Sequence, residues 1–459
     1  MKLPFLDRQE ETARFRKLLG QAEGSLGVLY GRRRCGKSRL LREILPPERA
    51  VYYVGDDREG GLQRESLATE IGRLLPGFEA VTYPDWNTLF ARWWREARPG
   101  TVLALDEFPS MVAVAPELPS LLQKHLDHGS DSGIHLILSG SSQRMMQGLV
   151  LDRTAPLFGR AREILKISPL PAGWIEEALH LKSPEQAIEA YSIWGGTPRY
   201  WELAGDYPSL SEAIRSLVLS PMGVLHEEPS RLLLDDLRDT TQAASILSLI
   251  GQGCHRISEI AGRLGKPATA LSRPLQRLQE MDLIHREQPF GEAERGGKRT
   301  LYKISDPFLR FWFRFVEIDR SRLGAGLLKA VAADIEKTLP HHIGEIWEEL
   351  ARTSVPHLTL GGKTWGPASR WWGTGLDRKP LEVDLLAYSS DDRSVLVGEV
   401  KWAIPRDAKR LLAELEEKAR RLPEVRGREV AAVLWLKAGG KGMGAERLVG
   451  PRMVLDVLR

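Results

Sequence analysis

The chain is poor in cysteine and all but lacks asparagine. Of its 459 residues only Cys35 and Cys254 are cysteines, and Asn87 is the sole asparagine. Two thiols exclude a disulfide framework and a cysteine-rich zinc site. No apolar run approaches the ~18 residues of a membrane span. The opening Met1-Lys2-Leu3-Pro4-Phe5-Leu6-Asp7-Arg8 turns polar too early for a signal peptide, so a cytoplasmic location without a membrane partner is expected. There is no low-complexity tail. A net charge of +4 excludes a polycation, so any basic partner surface must be a local patch. The excess of arginine over lysine fits heat adaptation or a GC-rich genome and decides neither. What is present is a globular composition, 42% hydrophobic and 27% charged. At ~100–200 residues per domain, the length calls for several.

The most informative stretch runs from Val28 to Leu41. An apolar run ends at Gly31, four residues lead to Gly36-Lys37-Ser38, and an apolar-periodic segment follows. G-x-x-x-x-G-K-S between a strand and a helix lets successive backbone N–H groups and a helix N-terminus face a polyphosphate. The nucleotide-binding run is Gly31, Arg32, Arg33, Arg34, Cys35, Gly36, Lys37, Ser38 and Arg39. Lys37 suits the β- and γ-phosphates of ATP, and the Ser38 hydroxyl suits Mg²⁺. Thr101-Val102-Leu103-Ala104-Leu105-Asp106-Glu107 reads as a buried parallel strand running into two acids. Asp106 is expected to hold Mg²⁺, and Glu107 to orient or deprotonate the attacking water. Ile134 to Ser142 reads as the next strand, with Ser141 and then Ser139 as candidates to sense the γ-phosphate, or else an ordinary serine turn. Arg160, in Pro156-Leu157-Phe158-Gly159-Arg160, is either an arginine finger or a surface arginine.

Residues 170–233 read as helices broken at Gly195-Gly196-Thr197-Pro198. Between 242 and 304 three short helices precede two strands flanking Arg295-Gly296-Gly297-Lys298-Arg299, the rhythm of a winged helix-turn-helix. Arg273 and Arg277 on the third helix suit a DNA major groove, and Lys298 and Arg299 suit phosphates; a protein-packing module is the competing use. Asp306 to Val316 is densely aromatic and reads as a helix buried between domains. Leu381 to Ala387 and Val395 to Trp402 read as a hairpin placing Asp384 beside Glu399 and Lys401. Two carboxylates and a lysine in the pattern D…E-x-K suit Mg²⁺ or Mn²⁺ and phosphodiester cleavage. A salt-bridged hairpin carries the same residues. Upstream, the helix around Glu345, Glu348 and Glu349 offers a further acid.

Together these stretches, with Phe5-Leu6-Asp7-Arg8-Gln9-Glu10 and Ser305 to Trp312, resemble the archaeal-type ATPase family. These are P-loop proteins related to AAA+ and STAND ATPases, often with a C-terminal domain similar to PD-(D/E)XK nucleases. The resemblance implies an α/β fold: an AAA+-like ATPase core over 1–168, a helical lid over 169–238, a winged helix-turn-helix over 239–305, and a nuclease-like domain over 306–459 entered through linker helices 306–340. It places Arg8 by the adenine and Pro198 in the lid near the nucleotide. It makes Arg160 an arginine finger, hence homo-oligomers if it acts in trans, and Glu348 the helix acid joining Asp384, Glu399 and Lys401. The lid arginine usual in AAA+ proteins is not evident. The function expected is ATP hydrolysis coupled to metal-dependent cleavage of duplex or branched DNA. The alternatives are a nucleotide-gated switch, or a DNA-binding regulator with a silent nuclease-like domain.

Overall fold

The computed structural model describes residues 3–128, 132–236, 240–292, 299–439 and 444–459. Lys298 lies outside them. The chain divides into two compact units, Asp7–Pro169 and residues 3–6 with Leu170–Arg459. Among the described residues no helix is long and apolar enough to cross a membrane.

The first unit is built on five parallel strands: β1 (Leu26–Tyr30), β2 (Ala50–Val54), β3 (Val102–Asp106), β4 (His135–Gly140) and β5 (Ala161–Lys166), in the order β2-β3-β4-β1-β5. The three central strands are nearly continuous apolar runs because helices cover both faces of a parallel sheet. On one side Leu67, Phe78, Trp86, Phe90 and Trp93 join the strand residues in one core. This order inserts β4 between the strand that leads into the glycine loop and the strand that ends in Asp106. The carboxyl ends of β1, β3 and β4 therefore share one edge, where ligands of open α/β sheets bind. At that edge Gly31 has φ +148°, and a Cβ there would stand 2.3 Å from the Ile167 carbonyl oxygen, so no other residue fits.

The second unit begins with short helices between Ile175 and Asp236. Three more follow, Thr240–Gly251, Ile257–Leu264 and Ala268–Glu280. After them β6 (Ile284–Glu287) pairs antiparallel with β7 (Leu301–Ile304). Asp306 caps the aromatic helix from Pro307, accepting from the Leu309 N–H at 3.0 Å. A single helix, Leu328–Ser354, then runs through Pro340, where the sequence suggests a break between linker helices and the next domain. A small hairpin, β8 (Thr359–Leu360) and β9 (Lys363–Thr364), leads to β10 (Ser369–Thr374), β11 (Pro380–Tyr388), β12 (Ser394–Lys401), β13 (Glu429–Leu436) and β14 (Leu448–Val449). These five form a sheet in sequence order. β10, β11 and β12 are antiparallel, and β13 joins parallel after the crossover helix Ala408–Arg420. One apolar core, including Trp194, Ile246, Phe308, Trp347 and Trp435, runs from the short helices to one face of this sheet, and a second, with Trp371, Val383 and Leu415, lies between its other face and the crossover helix. The aromatic stretch 308–316 is buried in the first of these, as its composition suggests.

Candidate functional site

The glycine loop is closed by its own lysine. Lys37 Nζ donates to the carbonyls of Gly31 at 2.8 Å and Arg32 at 2.9 Å. Gly36, at φ +94°, precedes the helix Lys37–Ile44 and turns the chain into it. Cys35 is buried beneath the loop, while Arg33 is exposed and Arg34 and Arg39 are half-buried.

Across the sheet edge, Asp106 is 1% exposed, and both its oxygens are engaged. Oδ2 accepts from the Tyr52 hydroxyl at 2.7 Å, and Oδ1 from the Glu107 N–H at 3.0 Å. Burial followed by the neighbouring Asp106 charge pushes the pKa of this phenol up to about 12, and Ser38 lies close enough to offset part of that rise. Tyr52 therefore bonds the carboxylate, with the hydroxyl of Ser38 nearby; these two groups are the ones that the sequence proposes for Mg²⁺. Those hard oxygens are of the type this cation takes, so the donor set fits it. Glu107 sits at φ +50°, left-handed and costly for a non-glycine residue. Its carboxylate accepts from Ser141 Oγ at 2.5 Å and Ser141 N at 3.2 Å. Ser139 Oγ is buried with no hydrogen-bond partner among the described residues. Of the two serine candidates, Ser141 is the one that touches an acid.

Three residues drawn to this site by the resemblance have other engagements. Arg8 is buried, pairing with Glu11 and donating to the Ser168 carbonyl. Arg160 makes a two-pronged ion pair with Asp127 at 2.7 and 2.9 Å and donates to the Pro156 carbonyl at 2.9 Å. A finger role would require that pair to break. Pro198 belongs to the second unit, at the first turn of the helix Pro198–Ala204.

In the second unit the hairpin β11/β12 does bring Asp384, Glu399 and Lys401 together. Lys401 Nζ lies 3.2 Å from Asp384 Oδ2 and 2.8 Å from Glu399 Oε1. Asp384 Oδ2 also accepts the Val400 N–H at 2.9 Å. Lys418, on the crossover helix, takes the other Glu399 oxygen at 2.8 Å. Burial opposes ionisation of Glu399, but the hydrogen bonds from Lys401 and Lys418 outweigh it and hold the carboxyl below its usual range. Burial likewise works against the Lys401 charge, and Asp384 and Glu399 more than offset it. Of the three helix acids only Glu348 faces this cluster. Glu345 pairs with Arg314 at 2.8 Å and Glu349 with Arg310 at 2.8 Å. Burial first, then the Asp384 charge, push Glu348 up to about 7. Arg352, 9% exposed, lies among these groups: it donates to the Asp384 carbonyl at 3.0 Å and stands 3.7 Å from Glu348 and 3.5 Å from Glu287 of β6. The carboxylates are suitable donors for Mg²⁺ or Mn²⁺. Ammonium groups hold both Glu399 oxygens, and among the described residues no group of three or more His, Cys, Asp or Glu is arranged to hold a metal.

Arg273 and Arg277 are exposed four residues apart on the helix Ala268–Glu280 and so share a face. Arg299 does not match them as a phosphate contact. It pairs with Glu292 and donates to the Trp372 carbonyl of β10 at 3.0 Å. The Phe290 N–H donates to the Arg370 carbonyl at 2.9 Å, and the Phe290 ring meets Tyr388 edge-on at 4.9 Å. Phe290 and Arg299, on the described ends of the connection between β6 and β7, thus pack on the edge strand of the second sheet.

Sequence reasoning missed Tyr52, Lys418 and Arg352. The signal for Tyr52 is an alternating strand beside β3, legible only once the strand order is known. Lys418 looks like any basic residue on an amphipathic helix, and Arg352 like a helix-end arginine.

A family model described as an ATPase domain predominantly from Archaea matches residues 5–203. A second, described as archaeal and bacterial proteins of unknown function, matches residues 312–412. An uncharacterized protein of Methanocaldococcus jannaschii is 28% identical over 428 residues, spanning 91% of this chain and 92% of its own length. Among solved structures, the Walker-type ATPase of Pyrococcus abyssi aligns with a TM-score of 0.52 at 21% identity, over 67% of this chain and 95% of its own. The ORC2 protein of Aeropyrum pernix aligns with a TM-score of 0.47 at 14% identity, over 71% of this chain and 96% of its own.

Proposed function

We propose that this chain, whose residues 5–203 match a family model described as an ATPase domain predominantly from Archaea, hydrolyses ATP in the first unit and cleaves DNA in the second. In the first reaction Lys37 leaves the loop carbonyls for the phosphates, and Ser38 and Asp106 would hold Mg²⁺. Glu107 orients or deprotonates the water, steadied by Ser141. In the second, Asp384 and Glu399, with Glu348 beside them, would hold Mg²⁺ or Mn²⁺ once an ammonium group on Glu399 gives way, and Lys401 places the water or steadies developing charge on the phosphate. At both sites the cation, when bound, supplies charge neutralisation of phosphate oxygens. Arg273 and Arg277 supply contacts to duplex or branched DNA, and a homo-oligomer would let Arg160 reach a neighbour's nucleotide. The observation that carries the cleavage reading is the single Lys401 ammonium shared by Asp384 and Glu399 on adjacent strands. Incubating the full chain with linear, single-stranded and branched DNA, with and without ATP and Mn²⁺, tests it. Cleavage by wild type that Asp384→Ala abolishes supports it; equal cleavage by the variant sinks it.

A second reading is favoured by Lys418. With one lysine on each Glu399 oxygen, the cluster also suits a silent domain in which the acids serve as structural ion pairs. The chain would then be a nucleotide-gated, DNA-binding regulator. Wild type that never cuts with Mn²⁺ decides for it.

A further inference from the structure

We propose that Tyr52 is a positioning residue for the divalent cation of the nucleotide site, acting through Asp106 and Ser38. The inference rests on the reading that those two residues hold Mg²⁺. Tyr52 is opposite Ala104 in the β2/β3 register, and Ala104 shares a strand face with Asp106 two residues on. Alanine at 104, fully buried, leaves room for the phenol to lean along the strand to the Asp106 carboxylate. The hydroxyl reaches Oδ2 at 2.7 Å while the Glu107 N–H holds Oδ1 at 3.0 Å, so the carboxylate is gripped from two directions and cannot turn. The phenol is anchored in turn by the helix that follows the glycine loop. The Arg42 guanidinium of that helix lies 5.9 Å from the ring centre, and Ser38, one turn earlier, lies close to the hydroxyl. One side chain thus ties the helix bearing the metal hydroxyl to the strand bearing the metal carboxylate. Groups that orient metal ligands in this way typically alter cation affinity by about 10–100-fold when removed.

The test is Tyr52→Phe, which keeps the ring and its Arg42 contact and deletes only the hydroxyl. Binding of a fluorescent ADP analogue to the full-length protein is measured in EDTA and then with rising Mg²⁺. The expected result is unchanged affinity in EDTA and an increase, by about tenfold, in the Mg²⁺ needed for half-maximal enhancement. An unchanged Mg²⁺ midpoint overturns the inference. So does an equal loss of affinity with and without Mg²⁺, which marks the phenol as a purely structural strut. If nucleotide affinity of the wild type ignores Mg²⁺, the parent reading of Ser38 and Asp106 falls as well. A response in wild type with no shift in Tyr52→Phe removes the role of Tyr52 alone.

Discussion

The two acidic clusters are held by different kinds of partner. At Asp106 and Glu107 the carboxylates accept from uncharged donors: a phenol, a serine hydroxyl and backbone N–H groups. Their negative charge is oriented but not cancelled, which is the condition of a receptor waiting for a cation. At Asp384 and Glu399 the partners are ammonium groups, Lys401 and Lys418, with the Arg352 guanidinium beside Glu348. A buried ion pair recovers its desolvation cost only through close partners. That cluster therefore rests at charge balance by itself, and a metal ion must displace an ammonium to enter. The first site is prepared for its cation; the second competes with it.

The widest separation of the two sites should come from paired knockouts. Lys37→Ala should lower ATP turnover by at least about a hundredfold, measured by phosphate release. Asp384→Ala should leave turnover within about twofold of wild type, as expected if the two sites work independently, while removing Mn²⁺-dependent cleavage. If Asp384→Ala stops ATP hydrolysis too, the sites do not work as separate centres.

The next effect concerns charge at Glu348. Its carboxyl is raised in the folded state from 4.5 to about 7, so the fold binds its proton more tightly than the unfolded chain does. Stability from this group is full below pH 4.5 and is lost as pH rises through about 7. Glu348→Gln removes that loss. Relative to wild type it should gain up to about 3 kcal/mol between pH 5 and pH 8, at 1.36 kcal/mol per pKa unit, in urea melts at the two pH values. A pH-independent difference would show that Glu348 is not strained by Asp384 and burial.

A smaller change should follow from freeing Glu107. Ser141→Ala leaves its carboxylate held by one backbone N–H, and turnover should fall about tenfold with nucleotide affinity unchanged, toward the low end of what a misplaced general base costs. A matching fall in affinity would make Ser141 a nucleotide contact instead. The smallest effect sharpens the contrast directly. Lys418→Met removes one ammonium competing for Glu399, so the Mn²⁺ concentration for half-maximal cleavage should drop severalfold. A rise would mean that Lys418 helps to build the metal site.

Legibility in the sequence followed chain distance. The loop Gly31–Ser38, the strand ending in Asp106-Glu107 and the hairpin carrying Asp384, Glu399 and Lys401 are local patterns. Backbone periodicity alone puts their side chains on one edge or face. The three helices and two strands of 240–304 were readable in the same way. The engagement of Arg299 was not. Nothing near Arg299 in the chain announces that its partner is the carbonyl of Trp372, 73 residues on. Arg160 likewise meets Asp127, 33 residues back, and that pairing separates a free finger from a fastened arginine. The 169–238, three-helix and C-terminal segments fall in one compact unit and share apolar faces that no local pattern assigns to one another.

The amino-acid order by itself determined the glycine turn, the charge and hydroxyl that follow it, and the placement of acids at strand ends. These depend on steric limits and hydrogen-bond geometry within a few residues. Only the tertiary structure decided that Tyr52 leans on Asp106, that Lys418 and Arg352 answer the rear acids, and that Glu348 rather than Glu345 or Glu349 faces them. Electrostatic neutralisation acts through space, so its partners are set by which elements pack together and not by their order along the chain.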